Sequence, residues 1–189
     1  LLDALQIAEP VVIGGLSMGG YVALSIAARH PERLKALMLI NTRASADTSE
    51  TARVREELAR QVEASGETEP VVAAMLPKLF TRATFEHHPR LVARLHDVMA
   101  RTPARAVVGT LRGLAIRPDR TDDLAGIAVP TLILAGADDA LISLEESESM
   151  ARLIPGSTLV IIPEAGHLAP LENPGATDSA ILGFLESLW

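Results

Sequence analysis

Apolar residues fall into two patterns along this chain: short unbroken runs, and longer stretches at helical spacing. The unbroken runs are VVIGG at 11–15, LKALMLIN at 34–41, TLILAG at 131–136 and STLVIIP at 157–163. Near-continuous apolar runs of this length predict strands covered on both faces, as in a parallel sheet. Between the first two lies SMGGYVALSIAARH, rich in helix formers after its glycines and stopped by Pro31, which disfavours helical geometry at His30. Further helices are predicted near 145–153 and from Pro174 to Trp189, where a proline at the first position removes no needed amide donor. The opening LLDALQIAEP places Leu1, Leu2, Leu5 and Ala8 close to helical spacing and reads as the last turns of an amphipathic helix.

The middle of the chain differs. Residues from about 48 to 115 are rich in Ala, Leu, Arg and Glu, with Gly66, Pro77, Pro89 and Pro103 as punctuation, and predict three or four helices without a strand. Arg53 with Glu57, and Glu56 with Arg60, have the i,i+4 spacing of ion pairs on an exposed helix face. The predicted class is α/β: a parallel sheet with helices on both faces, interrupted by a helical insertion. The expected division is a core from residues 1–42 and 119–189, with the insertion at 43–118.

Composition narrows this picture. A chain of 189 residues can bury roughly two-thirds of its unfolded surface in one domain, and 48% hydrophobic against 22% charged residues excludes general disorder. The formal charge of -7, without basic patches interleaved with aromatics, argues against a nucleic-acid partner. The absence of cysteine excludes disulfides, a thiolate nucleophile and thiolate metal sites. Pro10 to Ala28 carries no charge and imitates a membrane span, but Pro10, Gly14, Gly15, Gly19 and Gly20 divide it into strand, turn and helix. No membrane association is expected, and the expected location is cytoplasmic.

The turn between that strand and helix carries candidate chemistry. GGLSMGG contains G-x-S-x-G as Gly15-Leu16-Ser17-Met18-Gly19, a weak signal alone but here set between a strand and a helix, the context of a nucleophile turn. Gly15 and Gly19 would supply the minimal side chains of a sharp bend, with Ser17 at its apex and the Met18 amide facing a developing oxyanion. An anion-binding glycine loop is the weaker reading, since neither a P-loop lysine nor dinucleotide spacing is present. A serine hydroxyl needs a base to be a useful nucleophile. Of the five histidines, His30 ends a helix, and His87, His88 and His96 lie in the insertion; none forms a metal-ligand pattern, and no metal is predicted. His167, in IIPEAGHLAPLENP, follows the last strand. Asp138 and Asp139 both follow the third strand and are both candidates for the acid that orients it. Ser17, the acid and His167 occur in the chain order of nucleophile-elbow enzymes.

With these residues in view, the chain resembles the alpha/beta-hydrolase family over nearly its whole length. GLSMGG, HPERLKALMLIN, VPTLILAGADD and PEAGHLAPLENP resemble its small esterase, enol-lactonase and cofactor-free haloperoxidase-like branch. The resemblance implies Ser17 as nucleophile, His167 as general base, Asp139 in preference to Asp138 as acid, the Met18 amide as one oxyanion donor, and no cofactor. It makes the insertion a cap over the site, in which Met75, Leu76, Leu79, Phe80 and Phe85 are candidates for an apolar substrate wall; packing of cap onto core is the plainer role for each. Asn41 and Arg43 stand at a strand end near the expected pocket, with capping and surface exposure as their plainer roles. Family members have strands before the serine strand and an early loop supplying a second oxyanion amide. Neither is visible here, and the chain resembles the last two-thirds of such a protein. An N-terminal fragment or second chain completing the sheet, or a homo-oligomer, is therefore expected. The expected activity is hydrolysis of a carboxylic ester, lactone or thioester of a small-molecule acyl substrate. Acyl transfer, cofactor-free perhydrolysis and an inactive or split fragment are the alternatives.

Overall fold

In the computed structural model, which describes residues 1–189, the four apolar runs pair as one parallel sheet. Its strands β1 (Val11–Leu16), β2 (Leu34–Ile40), β3 (Thr131–Gly136) and β4 (Thr158–Ile162) lie in the order β1-β2-β3-β4. Leu16 pairs with Ile40, Ile40 with Leu134, and Gly136 with Ile162, so the carboxyl ends of all four strands point to one edge of the molecule. Loops that leave a parallel sheet at this edge are the ones that meet around a ligand.

Chain order explains how the faces are covered. The helix α1 (Met18–Arg29) joins β1 to β2. Between β2 and β3 come α2 (Ser49–Ser65), α3 (Glu69–Leu79), α4 (Arg82–His87), α5 (Pro89–Arg101) and α6 (Ala104–Ala115). After β3 follow α7 (Leu144–Leu153), β4, α8 (Ala169–Glu172) and α9 (Pro174–Glu186). Side chains alternate across the pleat. Leu37, Leu39 and Ile133 accordingly meet Leu24 and Ala27 of α1 and Met150 of α7. Their neighbours Ile40, Leu132 and Leu134 meet Ile162, Ala169 and the Ala180, Ile181 and Phe184 face of α9. All six residues of β3 are buried, and after Thr131 they read as unbroken apolar sequence. Each leucine so enclosed contributes about 2 kcal/mol of transfer free energy.

The inserted helices number five, not three or four. Two Ser/Thr starts were hidden among the polar residues: Thr48 accepts the Thr51 amide at the start of α2, and Thr81 accepts the Thr84 amide at the start of α4. His88 then separates α4 from α5, which starts at Pro89. Pro77 lies within α3 and does not end it. Ala59 and Val62 of α2 pack on Val108 and Leu111 of α6, giving the insertion a small core of its own. The expected i,i+4 ion pairs also differ: Arg53 binds Glu50, Arg60 binds Glu57, and Glu56 instead receives Arg112 from α6. A longer reach across the α2–α6 contact wins over the neighbour on the same helix.

At its base the insertion is tied to the sheet through Asp47, whose side chain is fully enclosed. Arg43 lies 3.0 Å from it, Arg117 3.1 Å, and Arg55 of α2 donates to its second oxygen. The chain leaving β2, the first inserted helix and the chain returning from α6 thus share one carboxylate. At the other end of the sequence, the predicted opening helix is a single turn. Gln6 has φ 57°, and the Ile7 amide donates to the Leu2 carbonyl, a left-handed closure that stops helical bonding.

Candidate active site

The turn after β1 sets Ser17 in a conformation that few non-glycine residues adopt, φ 51° and ψ -111°. Three hydrogen bonds over-determine it. The Ser17 amide donates to the Ile40 carbonyl at 2.9 Å, and the Ser17 carbonyl accepts from the Gly20 amide at 2.9 Å and the Thr42 hydroxyl at 2.8 Å. The bend is also tighter than side chains allow. A Cβ at Gly15 would lie 2.1 Å from the Gly19 carbonyl oxygen, and one at Gly20 2.4 Å from the Thr42 methyl. Gly19, expected to be the second constrained glycine, has open space where its Cβ would stand; the crowded position is Gly20, because Thr42 from the neighbouring strand end presses on it.

Ser17 Oγ lies 2.8 Å from His167 Nε2. On the other side of the ring, Nδ1 is 2.9 Å from Asp139 Oδ2 and 3.1 Å from Oδ1. A carboxylate can only accept, so Nδ1 carries the ring proton and Nε2 is left to accept from the serine hydroxyl. The His167 and Asp139 side chains are 3% and 1% exposed, which removes competing water from their bond. Burial works most strongly on Asp139 and favours its neutral form. The hydrogen bond and charge of His167, the Asn41 amide and the Leu141 amide outweigh it and hold the carboxyl below its ordinary value near 3.8. Asp138 is exposed and makes no contact with the ring, so the direction of the turn separates the two acids: Asp139 Oδ1 accepts the amides of Leu141 at 2.8 Å and Ile142 at 3.1 Å.

Asn41 has a larger part in this arrangement than strand capping. It is 1% exposed, and its Nδ2 donates to Asp139 Oδ2 at 2.9 Å and to the Gly166 carbonyl at 3.2 Å. Its φ of 46° is a conformation asparagine tolerates better than other side chains; its place at the end of the second apolar run was the signal available in the sequence. Arg43 turns away into the Asp47 and Glu146 contacts.

Met18 opens α1, and its amide donates to no carbonyl or side chain in the chain. The residue is 47% exposed. A cavity of about 680 Å³ lies beside it over the outer face of α1, with Tyr21, Leu114 and Arg117 among its walls. The charged side chains lining it are Arg29, Arg43, Arg117 and Arg120, and none of Ser17, Asp139 or His167 does so. Nor do the five cap candidates. Phe80 is buried and meets Phe85 edge to face at 6.2 Å, while Met75, Leu76 and Leu79 are half-buried on α3. His30, His87, His88 and His96 lie on α1's end and in the insertion, apart from Ser17. No group of three or more His, Asp or Glu side chains converges as a metal site, and no helix is long and apolar enough to cross a membrane.

A sharp strand-to-helix turn presenting a serine to a histidine and a buried acid, all at the carboxyl edge of a parallel sheet, defines a class of protein. The chain belongs to the alpha/beta hydrolase fold family, whose model matches residues 1–174. Two 3-oxoadipate enol-lactonases of Acinetobacter baylyi are each 30% identical to it, over 96% and 100% of this chain and 65% and 68% of their own. Among solved structures, a thermophilic esterase from Thermogutta terrifontis is 38% identical with a TM-score of 0.95, covering 99% of this chain and 68% of that one. The chain thus spans about two-thirds of the length of these relatives.

Proposed function

We propose that this chain carries the catalytic centre of a serine hydrolase that cleaves a carboxylic ester, lactone or thioester. The observation that carries the reading is the continuous line of contacts from Ser17 Oγ through His167 to Asp139. Ser17 attacks the substrate carbonyl carbon while His167 Nε2 takes the hydroxyl proton. The Met18 amide donates to the oxyanion that forms. Collapse of the tetrahedral intermediate breaks the bond to the leaving oxygen or sulfur, which receives the proton from His167 and leaves an acyl-Ser17 ester. Water, deprotonated by the same nitrogen, then attacks the acyl carbon and frees the acid and Ser17. Asp139 keeps its negative charge throughout and stabilises the imidazolium. Support for an oxygen ester or lactone comes from the enol-lactonases and the esterase among the relatives.

One amide is half of the usual oxyanion pair, and losing a donor costs about 3 kcal/mol in transition-state stabilisation. β1 is paired on one side only, so the second donor would come from polypeptide lying along its open side. The direct test is labelling with a small alkyl fluorophosphonate, read by peptide mass mapping. Ser17 is the expected site, with none in Ser17→Ala. A folded wild-type chain, supplied with whatever polypeptide it assembles with, that takes no label would refute the reading.

A further inference from the structure

One carboxylate, that of Glu172 at the end of α8, joins the inserted helices to the loop that carries His167. Its Oε2 accepts the Gly166 amide at 2.5 Å. Its Oε1 accepts the Thr81 amide at 2.7 Å and the Thr84 hydroxyl at 2.6 Å, both at the start of α4. Gly166 immediately precedes His167, and its carbonyl is held from the opposite side by Asn41. There is no slack at that residue: a Cβ at 166 would stand 3.0 Å from Glu172 Oε2, 3.3 Å from the Thr81 nitrogen and 3.4 Å from the Phe80 carbonyl carbon. The peptide that aims the histidine is therefore clamped between the core, through Asn41, and the cap, through Glu172.

We propose that Glu172 is a positioning residue: by fixing Gly166 it sets the His167 ring against Ser17, and it links that setting to the seating of α4. The kinetic part of this inference rests on the serine-hydrolase reading; the placement of the ring does not. Chemistry selects a carboxylate here, because the Gly166 and Thr81 amides can only donate and converge with the Thr84 hydroxyl on its two oxygens. A glutamine would turn its own N–H₂ toward either the Gly166 amide or the Thr81 amide, leaving two donors face to face in either flip, while the Thr84 hydroxyl can turn to Thr81 Oγ1 at 3.1 Å. An aspartate is one methylene too short to reach both sides.

The test compares wild type with Glu172→Gln by NMR of the histidine ring nitrogens and the Nδ1 proton, alongside the rate of fluorophosphonate labelling. In the folded variant the His167 ring signals should move or broaden while those of His30 on α1 stay in place. Labelling of Ser17 and kcat should fall by about 10- to 100-fold, the scale of a roughly 1 Å misplacement of a reacting group. A role in stability alone would lower the melting temperature and leave the His167 signals of the folded population unchanged, and that result overturns the proposal. Should wild type take no label, the hydrolase reading fails, and the ring signals still decide the positioning role. Should Glu172→Gln not fold, Thr84→Val removes a single cap-side donor of similar shape; a smaller shift of the same His167 signals is expected, and none would overturn the proposal.

Discussion

Asn41 is the residue on which both halves of the acid–histidine pair lean. It donates to the carboxylate that orients His167 and to the carbonyl of the residue before it. Asn41→Ala would leave a buried carboxylate one donor short and a buried carbonyl unpaired, at about 1–3 kcal/mol. We expect kcat on a p-nitrophenyl ester to fall by roughly tenfold or more, with Asp139 titrating higher than in wild type. The sign follows from linkage: Asp139 is depressed below 3.8, so its stabilising contribution is present above that value and is lost as pH falls through its folded pKa. Removing a donor shifts that loss to higher pH, which urea titrations between about pH 2 and 5 would register. At this scale the sequence exposed Ser17 through its flanking glycines and His167 through its place after the last strand. Position after the strand left Asp138 and Asp139 open, because two adjacent acids differ only in which way the turn faces them, and the preference for Asp139 came from the family resemblance alone. Asn41 had no sequence pattern that located its partners, since they lie on two other loops.

Among elements, the inserted helices and the sheet share Asp47. Its three arginines come from the chain leaving β2, from α2 and from the chain after α6. Replacing it with alanine would leave them facing one another in a largely enclosed site. A cost of about 3 kcal/mol, the low end for breaking a buried ion pair, is the expected loss in chemical denaturation. Burial opposes ionisation of Asp47, yet the hydrogen bond and charge of Arg55, the charge of Arg117 and the Arg43 bond hold it below 3.8. Its contribution is therefore present above that value and lost below it, and Asp47→Asn should show a flatter dependence of stability on pH on the acid side. Strands were the most legible elements: the predicted third strand has the observed bounds because β3 is buried at every position. The insertion was less legible. Its helices break at threonine and histidine caps inside polar sequence, and its ion pairs, such as Glu56 with Arg112, join residues on different helices.

For the molecule as a whole, the parallel sheet and the placing of the site at its strand ends followed from four apolar runs and their crossovers, while the strand order and the span of each contact did not. Ser17 and His167 are separated by 150 residues, Asn41 and Gly166 by 125, and Asn41 and Asp139 by 98. Closing such separations is entropically costly and late, whereas the helices need only local contacts. The bond between serine and histidine therefore exists only once both ends of the chain have docked onto β2 and β3. Reactivity at Ser17 becomes a clock for the end of folding: in a refolding reaction, pulses of fluorophosphonate should begin to label it only after the helical circular dichroism signal has largely returned. Label uptake in step with the helical signal would mean that the two ends meet early, ahead of the sheet that now holds them.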